Sequence, residues 1–340
     1  MSSLAARTSS PSVHCWVHDP LVLELRQRVA QRLALLAPDD DPASRAVREL
    51  LAAGGKRLRP LLVYLGGLAA GASISSLDSL AEAAELVHVA SLLHDDLMDG
   101  AATRRGRPAA WRAIGPKAAV LGGDLAHVLA LQRVRLVPDP ALAHFLDGVA
   151  AMVRSQALEI DQQGGLEGGL PAWRSVAYGK TAALCGWCAE VGAIAAGQPG
   201  IGPELREFGQ GLGLAFQAVD DLLDLVPGMD PGKPAFADLR ARVPSLPIRM
   251  AAAADPALGR AIQALWRDGG EPSPALVAAL RCRGGGSAEA YVQRELAVAR
   301  RSLLRLPDSR HRALLDAMLD TLSLRAAACL AAPVPVLESQ

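Results

Sequence analysis

The sequence predicts an all-α protein, one large helical domain or two smaller ones. Three observations carry that expectation. Apolar residues recur at helical spacing through most of the span from residue 19 to residue 331, and no trustworthy segment alternates at the two-residue period of a strand. Hydrophobic residues make up 51% of the chain but aromatics only 4%, so the core must be packed from Ala, Leu and Val, which suits closely spaced helices. Two of the apolar helices also carry clusters of aspartate, which a bundle can bring face to face across its interior.

Taken in order, residues 1–18 and 332–340 read as flexible tails around one domain, 19–331. Asp19–Leu36 is helical, and an acidic, Pro-containing turn leads to a second helix, Pro42–Leu51, closed by Gly54-Gly55. KRLRP then places Lys56, Arg57 and Arg59 at a helix-to-helix junction. A Gly-Gly break lets the backbone approach a ligand, although exposed basic loops are also common on surfaces. The helix ending in the first aspartate cluster comes next, followed by Ala118–Val137 and Ala141–Gln163. Gly164–Pro171 reads as a loop and Ala172–Gly197 as a helix carrying Lys180-Thr181 among small and apolar residues. A lysine there either snorkels to solvent or meets an anion, and the anion is the favoured reading. Pro203–Val226 is helical; the Gly- and Pro-rich segment 227–247 holds Lys233, Arg240 and Arg242, and long loops of this kind often serve as lids. Helical stretches near Ile248–Ala253, Pro272–Arg281 and Ala288–Leu304, with GGGS as a break, lead to a last helix over His311–Ala332.

Bulk properties narrow the function. Lys+Arg and Asp+Glu both number 35, so no global field attracts nucleic acid. No apolar run reaches the ~20 residues of a membrane span, and the N-terminus lacks the apolar core of a secretory signal. Five scattered cysteines argue against a disulfide framework and for a reducing, cytoplasmic setting. Cys185 and Cys188 read as two buried helix residues rather than a redox or zinc pair.

The chemistry is concentrated in two stretches. In Glu85–Pro108, Asp95 and Asp99 lie four apart, which puts them on one helix face with Cβ atoms about 5–6 Å apart. Like charges that close repel unless a cation intervenes, and Mg²⁺ is commonly bound through one or two carboxylates plus substrate phosphates. Arg104, Arg105 and Arg107 follow, forked donors matched to phosphate. Alone, the stretch reads equally well as a solvated acidic helix end with a basic loop. The second stretch, Gly213–Val226, breaks the tie by repeating the spacing with Asp220, Asp221 and Asp224. Ionised groups in an apolar helix are costly unless paired or coordinated. Two such clusters point to a diphosphate held through magnesium.

These motifs resemble those of the trans-isoprenyl (all-E polyprenyl) diphosphate synthases. GGKRLRP, HDDLMDGAATRRGRP, KTAAL, FQAVDDLLD and GKPAFADLRARVPSLP stand in that family's order, and the likeness runs from about residue 20 to about residue 325. The resemblance implies a single large all-α bundle of the isoprenoid synthase type, ten or more helices around a deep central cavity, commonly a homodimer. It also implies Mg²⁺-dependent head-to-tail condensation of isopentenyl diphosphate with an allylic diphosphate. Asp95, Asp99, Asp220 and Asp224 would ligate about three Mg²⁺ ions, with Asp96 and Asp221 in support. Arg104, Lys180, Thr181, Gln217 and Lys233 would hold the allylic diphosphate. Lys56, Arg59, His88 and Arg105 would bind the diphosphate of isopentenyl diphosphate. Without the family, His88 in an apolar helix would more often be a satisfied core histidine. The catalytic set is then Asp95, Asp96, Asp99, Lys180, Asp220 and Asp221.

Two features are particular to this chain. Val243 stands where the family's loop carries a lysine; either Arg242 compensates or the lid closes less tightly. Where short-chain relatives place an aromatic before the first aspartate, this chain has Ala90 and Ser91, with Val87 a turn further down. That open floor predicts a product of geranylgeranyl length or longer. Three other readings fit less well. A terpene cyclase of the same helical class has no use for KRLRP and Arg105. A non-catalytic subunit of a heteromeric synthase tends to lose an aspartate motif. A ferritin-like di-metal bundle would want Glu-x-x-His pairs.

Overall fold

The computed structural model of the chain describes residues 16–37, 39–137, 139–226 and 236–331. Helix α1 (Pro20–Leu33) is capped by Asp19 and α2 (Pro42–Ala52) by Asp41, each carboxylate accepting N–H groups of the first turn with proline at the first helical position. Trp16–His18 form a 3₁₀ turn with Trp16 buried, so packing begins inside the segment read as a tail. The rest of both tails lies outside the described residues.

Helices α3 (Leu58–Ala69) and α4 (Ile74–Met98) follow, α4 capped by Ser73. Almost every residue of α4 from Leu77 to Ala90 is buried, polar ones included, which marks a helix surrounded by others rather than one with a solvent face. Its neighbours are α3, α6 (Pro116–Val134) and α9 (Ala183–Ala195). α9 is itself buried from Leu184 to Ile194, and α10 (Gly202–Asp224) packs against it and against α15 (Gly286–Leu303). Small residues allow this closeness. A Cβ on Gly192 would sit 2.4 Å from the Cα of Gly67, so α3 and α9 touch backbone to backbone.

Buried acids on α4 are all answered. Asp78 accepts both arms of Arg28 and the Tyr64 hydroxyl, and Glu82 accepts Arg32 and Arg133. These pairs tie α1, α3 and α6 to the central helix.

The remaining elements are the one-turn α5 (Ala110–Ala113), α7 (Ala141–Gln162), α8 (Gly169–Ala177), the one-turn α11 (Ala237–Arg240), α12 (Leu246–Ala254), α13 (Pro256–Asp268), α14 (Pro274–Leu280) and α16 (Arg310–Ala331). Among the described residues the strands are two short pieces, β1 (Thr103–Arg104) and β2 (Arg107–Pro108), paired antiparallel.

Four expectations are corrected or refined. The helix read as Ala172–Gly197 runs on to Ala195 through a π turn at Tyr178–Ala182. GGGS is no break, because a second π turn, Arg281–Gly285, carries α14 into α15. The loop expected up to Pro171 is already helical at Gly169. Helix α13 was not anticipated, although Asp255 caps it, Pro256 opens it, and Leu258, Ile262 and Trp266 recur at helical spacing on its buried side. It joins Phe236, Leu239 and Leu280 in a second small core. The second half of the segment read as a lid is therefore packed: Trp266 Nε1 donates to the Leu239 carbonyl.

Among the described residues a cleft of about 30 Å³ opens between α7, α8, α10 and α12. Among the described residues no helix is long and apolar enough to cross a membrane.

Candidate active site

The acidic end of α4 sets one wall. Asp96 is buried, and its Oδ1 accepts Arg104 Nε at 2.8 Å and also Nη2. The β1–β2 hairpin makes this possible. Its turn residues Arg105 and Gly106 both have positive φ, the combination a tight two-residue hairpin requires, and the reversal carries Arg104 back onto α4. Asp95 is pushed up to about 6, first by burial and further by Asp99 and Glu159, against the opposing pull of Lys180 and Arg104. Burial also raises Asp99. Two carboxylates held in a region that resists their charge would gain from a divalent cation.

Lys180 sits in the π turn, a local widening that often marks functional positions. Its Nζ pairs with Glu159 of α7. Burial opposes its charge, but Glu159, Asp95 and Asp99 more than restore it. Next to it, Thr181 Oγ1 donates to Gln217 Oε1 at 2.8 Å, and Gln217 Nε2 donates to Asp221 Oδ1 at 3.0 Å. Asp221 Oδ2 accepts Trp173 Nε1 at 2.7 Å and the Leu246 N–H at 2.8 Å. Burial lifts Asp221 to about 7, and Asp238 adds to the rise, against these hydrogen bonds. Glu159, Lys180, Gln217, Asp221, Val243 and Arg249 line the cleft. Lys180 thus faces the first aspartate motif electrostatically and shares a cleft with the second.

The members of the second motif divide. Asp220 is exposed beside the cleft wall. Asp224 is buried, and its two oxygens accept the Ala237 and Asp238 N–H groups at 3.0 and 3.1 Å. It thereby ties the returning chain to the end of α10. Lys233 lies outside the described residues. Arg242 and Val243 point to different places. Arg242 borders a separate hollow with Gly164, Gln263, Trp266 and Arg267, while Val243 borders the cleft.

A second polar site lies about two turns back along α4. Gly54, Gly55 and Arg57 all have positive φ, which folds the KRLRP loop sharply ahead of α3. Buried Arg57 pairs with Glu85 and donates to the Leu51 carbonyl. Arg105 donates to the Gly54 carbonyl, and its guanidinium lies so close to Gly55 that an added Cβ would be 2.9 Å from Cζ. Lys56 is exposed at the loop. His88 is held well below its usual range by burial, then by Arg59, Arg105, Arg104 and Arg57. It stays neutral amid cations. His88 Nδ1 and Arg59 Nε are buried without a hydrogen-bond partner, and sealed polar atoms of this kind call for an acceptor from outside the protein.

Of the expected pocket-floor residues, Val87 and Ala90 are fully buried, and Ser91 is half-buried with its hydroxyl bonded to the His88 carbonyl. Sequence reasoning gave no role to Glu85, Glu159, Trp173 or Arg249. Glu85 carried a signal: a carboxylate one turn before His88 in an otherwise apolar helix.

Among the described residues, no three His, Cys, Asp or Glu side chains form a ready-made metal cage. Asp95, Asp99, Asp220 and Asp224 could hold Mg²⁺ only with ligation completed by phosphate oxygens, which is how that ion usually binds.

The polyprenyl synthetase family matches residues 41–279. The chain is 39% identical over 216 residues to a (2E,6E)-farnesyl diphosphate synthase of Mycobacterium tuberculosis, covering 62% of this chain and 60% of the relative. It is 39% identical over 207 residues to a geranylgeranyl diphosphate synthase of the same organism, covering 57% of each. These matches span less than two thirds of the relatives' length. The crystal structure of a decaprenyl diphosphate synthase from Rhodobacter capsulatus superposes with a TM-score of 0.82 at 29% identity, covering 90% of this chain and 98% of the other. With its paired aspartate motifs, its lysine in a π turn and its arginine-lined site on one central helix, the chain belongs to the polyprenyl synthetase family.

Proposed function

We propose that the chain condenses isopentenyl diphosphate head-to-tail with an allylic diphosphate to give an all-trans polyprenyl diphosphate, in a Mg²⁺-dependent reaction. One observation carries the reading: a single helix presents two anion sites of opposite character, carboxylates facing Lys180 at its end and arginines around neutral His88 two turns earlier. Two diphosphates bound in different ways on one scaffold describe a two-substrate reaction.

Asp95, Asp99, Asp220 and Asp224 would hold Mg²⁺, which supplies neutralising charge to the leaving diphosphate. Arg104, Lys180, Thr181 and Gln217 position that diphosphate, and Lys233 joins them in this proposal. Asp96 fixes Arg104, and Asp221 fixes Gln217 and the start of α12. Lys56, Arg59, His88 and Arg105 hold the isopentenyl diphosphate, so that its double bond lies beside the allylic carbon as the C–O bond breaks. The narrow cleft keeps water from the cation. The proton released after bond formation passes to the departed diphosphate.

The small residues Val87, Ala90 and Ser91 support a product of geranylgeranyl length or longer. Exposed Val120, Leu121 and Val128 on α6, with Leu146, Val153 and Leu158 on α7, support a homodimer built on that face. Free thiols at Cys185, Cys188, Cys282 and Cys329 fit a reducing cytoplasm.

The test is diphosphate release from farnesyl diphosphate with and without isopentenyl diphosphate, followed by sizing of the product. Release only with both substrates is expected. Release from the allylic substrate alone would favour a cyclase and defeat the proposal.

A further inference from the structure

The cleft contains a cation that has no counter-charge in contact with it. Arg249, on the first turn of α12, is 3% exposed. Its Nε donates to the Pro244 carbonyl at 2.9 Å, Nη1 to the Glu167 carbonyl at 2.7 Å and Nη2 to Gln162 Oε1 at 2.6 Å. All three acceptors are neutral, and the Glu167 carboxylate attracts the guanidinium without hydrogen-bonding to it. A guanidinium cannot shed its proton in a protein, and burying a charge without an opposite partner is costly. That cost is spread over contacts that only arrange the site: one holds the turn Val243–Ser245, and two hold the end of α7 and the chain after it.

Position matters as much as charge. Arg249 lines the same cleft as Lys180, Gln217 and Asp221. The other formal cation on that wall, Lys180, is already paired with Glu159. Val243, which carries no charge, occupies the wall beside Pro244. Arg242, the neighbour expected to stand in for a lysine there, borders the other hollow.

We propose that Arg249 is the positioning residue that makes good the missing loop cation. It fixes the Val243–Ser245 turn through Pro244 and places a positive charge with no carboxylate in contact on the wall that receives the allylic diphosphate. This inference rests on the proposed reaction and assigns within it a determinant of allylic-substrate affinity.

The experiment measures KM for each substrate separately in the full chain, in Arg249→Met, in Val243→Lys and in the double variant. Arg249→Met raises KM for the allylic diphosphate about tenfold or more while moving KM for isopentenyl diphosphate less than about threefold, as expected for one charge lost from one of two sites. Val243→Lys in the Arg249→Met background recovers most of that loss. In the otherwise unaltered chain it lowers the allylic KM by less than about threefold, because the charge is already supplied. A purely structural role for Arg249 would shift both KM values together and would not be rescued at position 243; that result overturns the proposal. Should Arg249→Met fail to fold, Val243→Lys alone decides: an improvement in the allylic KM of about tenfold would mean that the wall lacked a cation, and the proposal falls. An unaltered chain that makes no product defeats the proposed reaction and this inference with it. An active chain indifferent to Arg249 defeats the inference alone.

Discussion

Replacing Gly55 by alanine should weaken one substrate and spare the other. Gly55 has φ +136°, and an added Cβ would lie 2.9 Å from Cζ and Nη2 of Arg105 and 3.0 Å from Nη1. Ordinary contact begins near 3.4 Å, so the guanidinium must retreat by about 0.5–1 Å. Arg105 is long and flexible, so the clash itself costs the fold little. Its functional cost is larger, because the displaced atoms are those proposed to grip the isopentenyl diphosphate. A hydrogen bond to a charged group contributes about 1.5–3 kcal/mol, which is roughly 10- to 150-fold in affinity. Partial displacement places the effect near the lower end, about tenfold in KM.

Gly54 is the control. It also has positive φ, at +74°, but an added Cβ meets nothing within 4 Å. Both alanine variants carry backbone strain of order 1–3 kcal/mol, and only Gly55→Ala also pushes on Arg105. Steady-state rates with isopentenyl diphosphate varied at saturating allylic substrate, and the reverse, separate the two effects. Gly55→Ala should raise KM for isopentenyl diphosphate about tenfold with the allylic KM within about threefold, and Gly54→Ala should change either much less. Equal effects of the two variants, or a Gly55→Ala effect shared by both substrates, would refute the assignment of Arg105.

Four further outcomes are expected. Chelation by EDTA abolishes turnover and added Mg²⁺ restores it, with ion binding strengthened by inorganic diphosphate, because the aspartates alone form no complete cage; retained activity in chelator would count against the metal site. Ala90→Phe, at a fully buried position of α4, shortens the product, and an unchanged product distribution would remove Ala90 from the pocket floor. Val153→Asp or Leu121→Asp on the exposed apolar face converts a dimer into monomers, read by light scattering. Asp78→Asn costs about 1–3 kcal/mol at neutral pH by removing the charge that Arg28 and Arg32 pair with and placing an amide NH₂ against Arg28 Nη2. Burial alone would raise the Asp78 pKa, but Arg28 and Tyr64 hold it below its usual value. Its contribution to stability is therefore present above the unfolded-state value and lost as pH falls through the folded one. Chemical denaturation below about pH 4 should show less acid sensitivity in Asp78→Asn than in the parent chain.

Much of the fold was legible because helices announce themselves locally. Asp19, Asp41 and Ser73 cap their helices as their residue types suggest, and apolar spacing marks α4 and α10. What escaped was context. The run Arg281–Gly285 reads as a breaker by composition, yet Gly284 is clamped against the Pro247 carbonyl, where an added Cβ would come within 2.0 Å, and tertiary packing keeps the helix going through it. The π turn at Lys180 leaves no periodic trace, because the helix after it is apolar or small all round from Ala183 to Cys188 and a rotation of its pattern has no polar face to reveal it. At the site, residue types pointed to the aspartates, arginines and lysine. They could not distinguish Asp220 from Asp224. Both lie on an apolar helix at the motif spacing, and only the returning chain, with Ala237 and Asp238 donating to Asp224, gives one of them an anchoring role as well. Nor could they show that Arg242 and Val243, adjacent in sequence, border different hollows.

The contrast between the two anion sites has a chemical reason within the proposed reaction. A diphosphate that must leave gains negative charge in the transition state, and its site should strengthen as that charge grows. Asp95 resists ionisation through burial and the charges of Asp99 and Glu159, and Asp99 through burial and the charges of Glu159 and Asp96; a cation binding there relieves these repulsions and brings concentrated charge to the breaking bond. A diphosphate that must stay needs only to be held still. Arginines suit that task, since their forks fix orientation and their charge does not depend on a dissociable ion. The neutrality of His88 fits the same logic: a charged imidazole among Arg57, Arg59, Arg104 and Arg105 would add repulsion, whereas a neutral one offers a hydrogen bond without it. Glu85, paired with Arg57, then sets how much positive charge this half retains. Metal dependence should accordingly be confined to one substrate: without Mg²⁺ the chain should still bind isopentenyl diphosphate, and calorimetric titration showing no such binding would break the division of labour argued for α4.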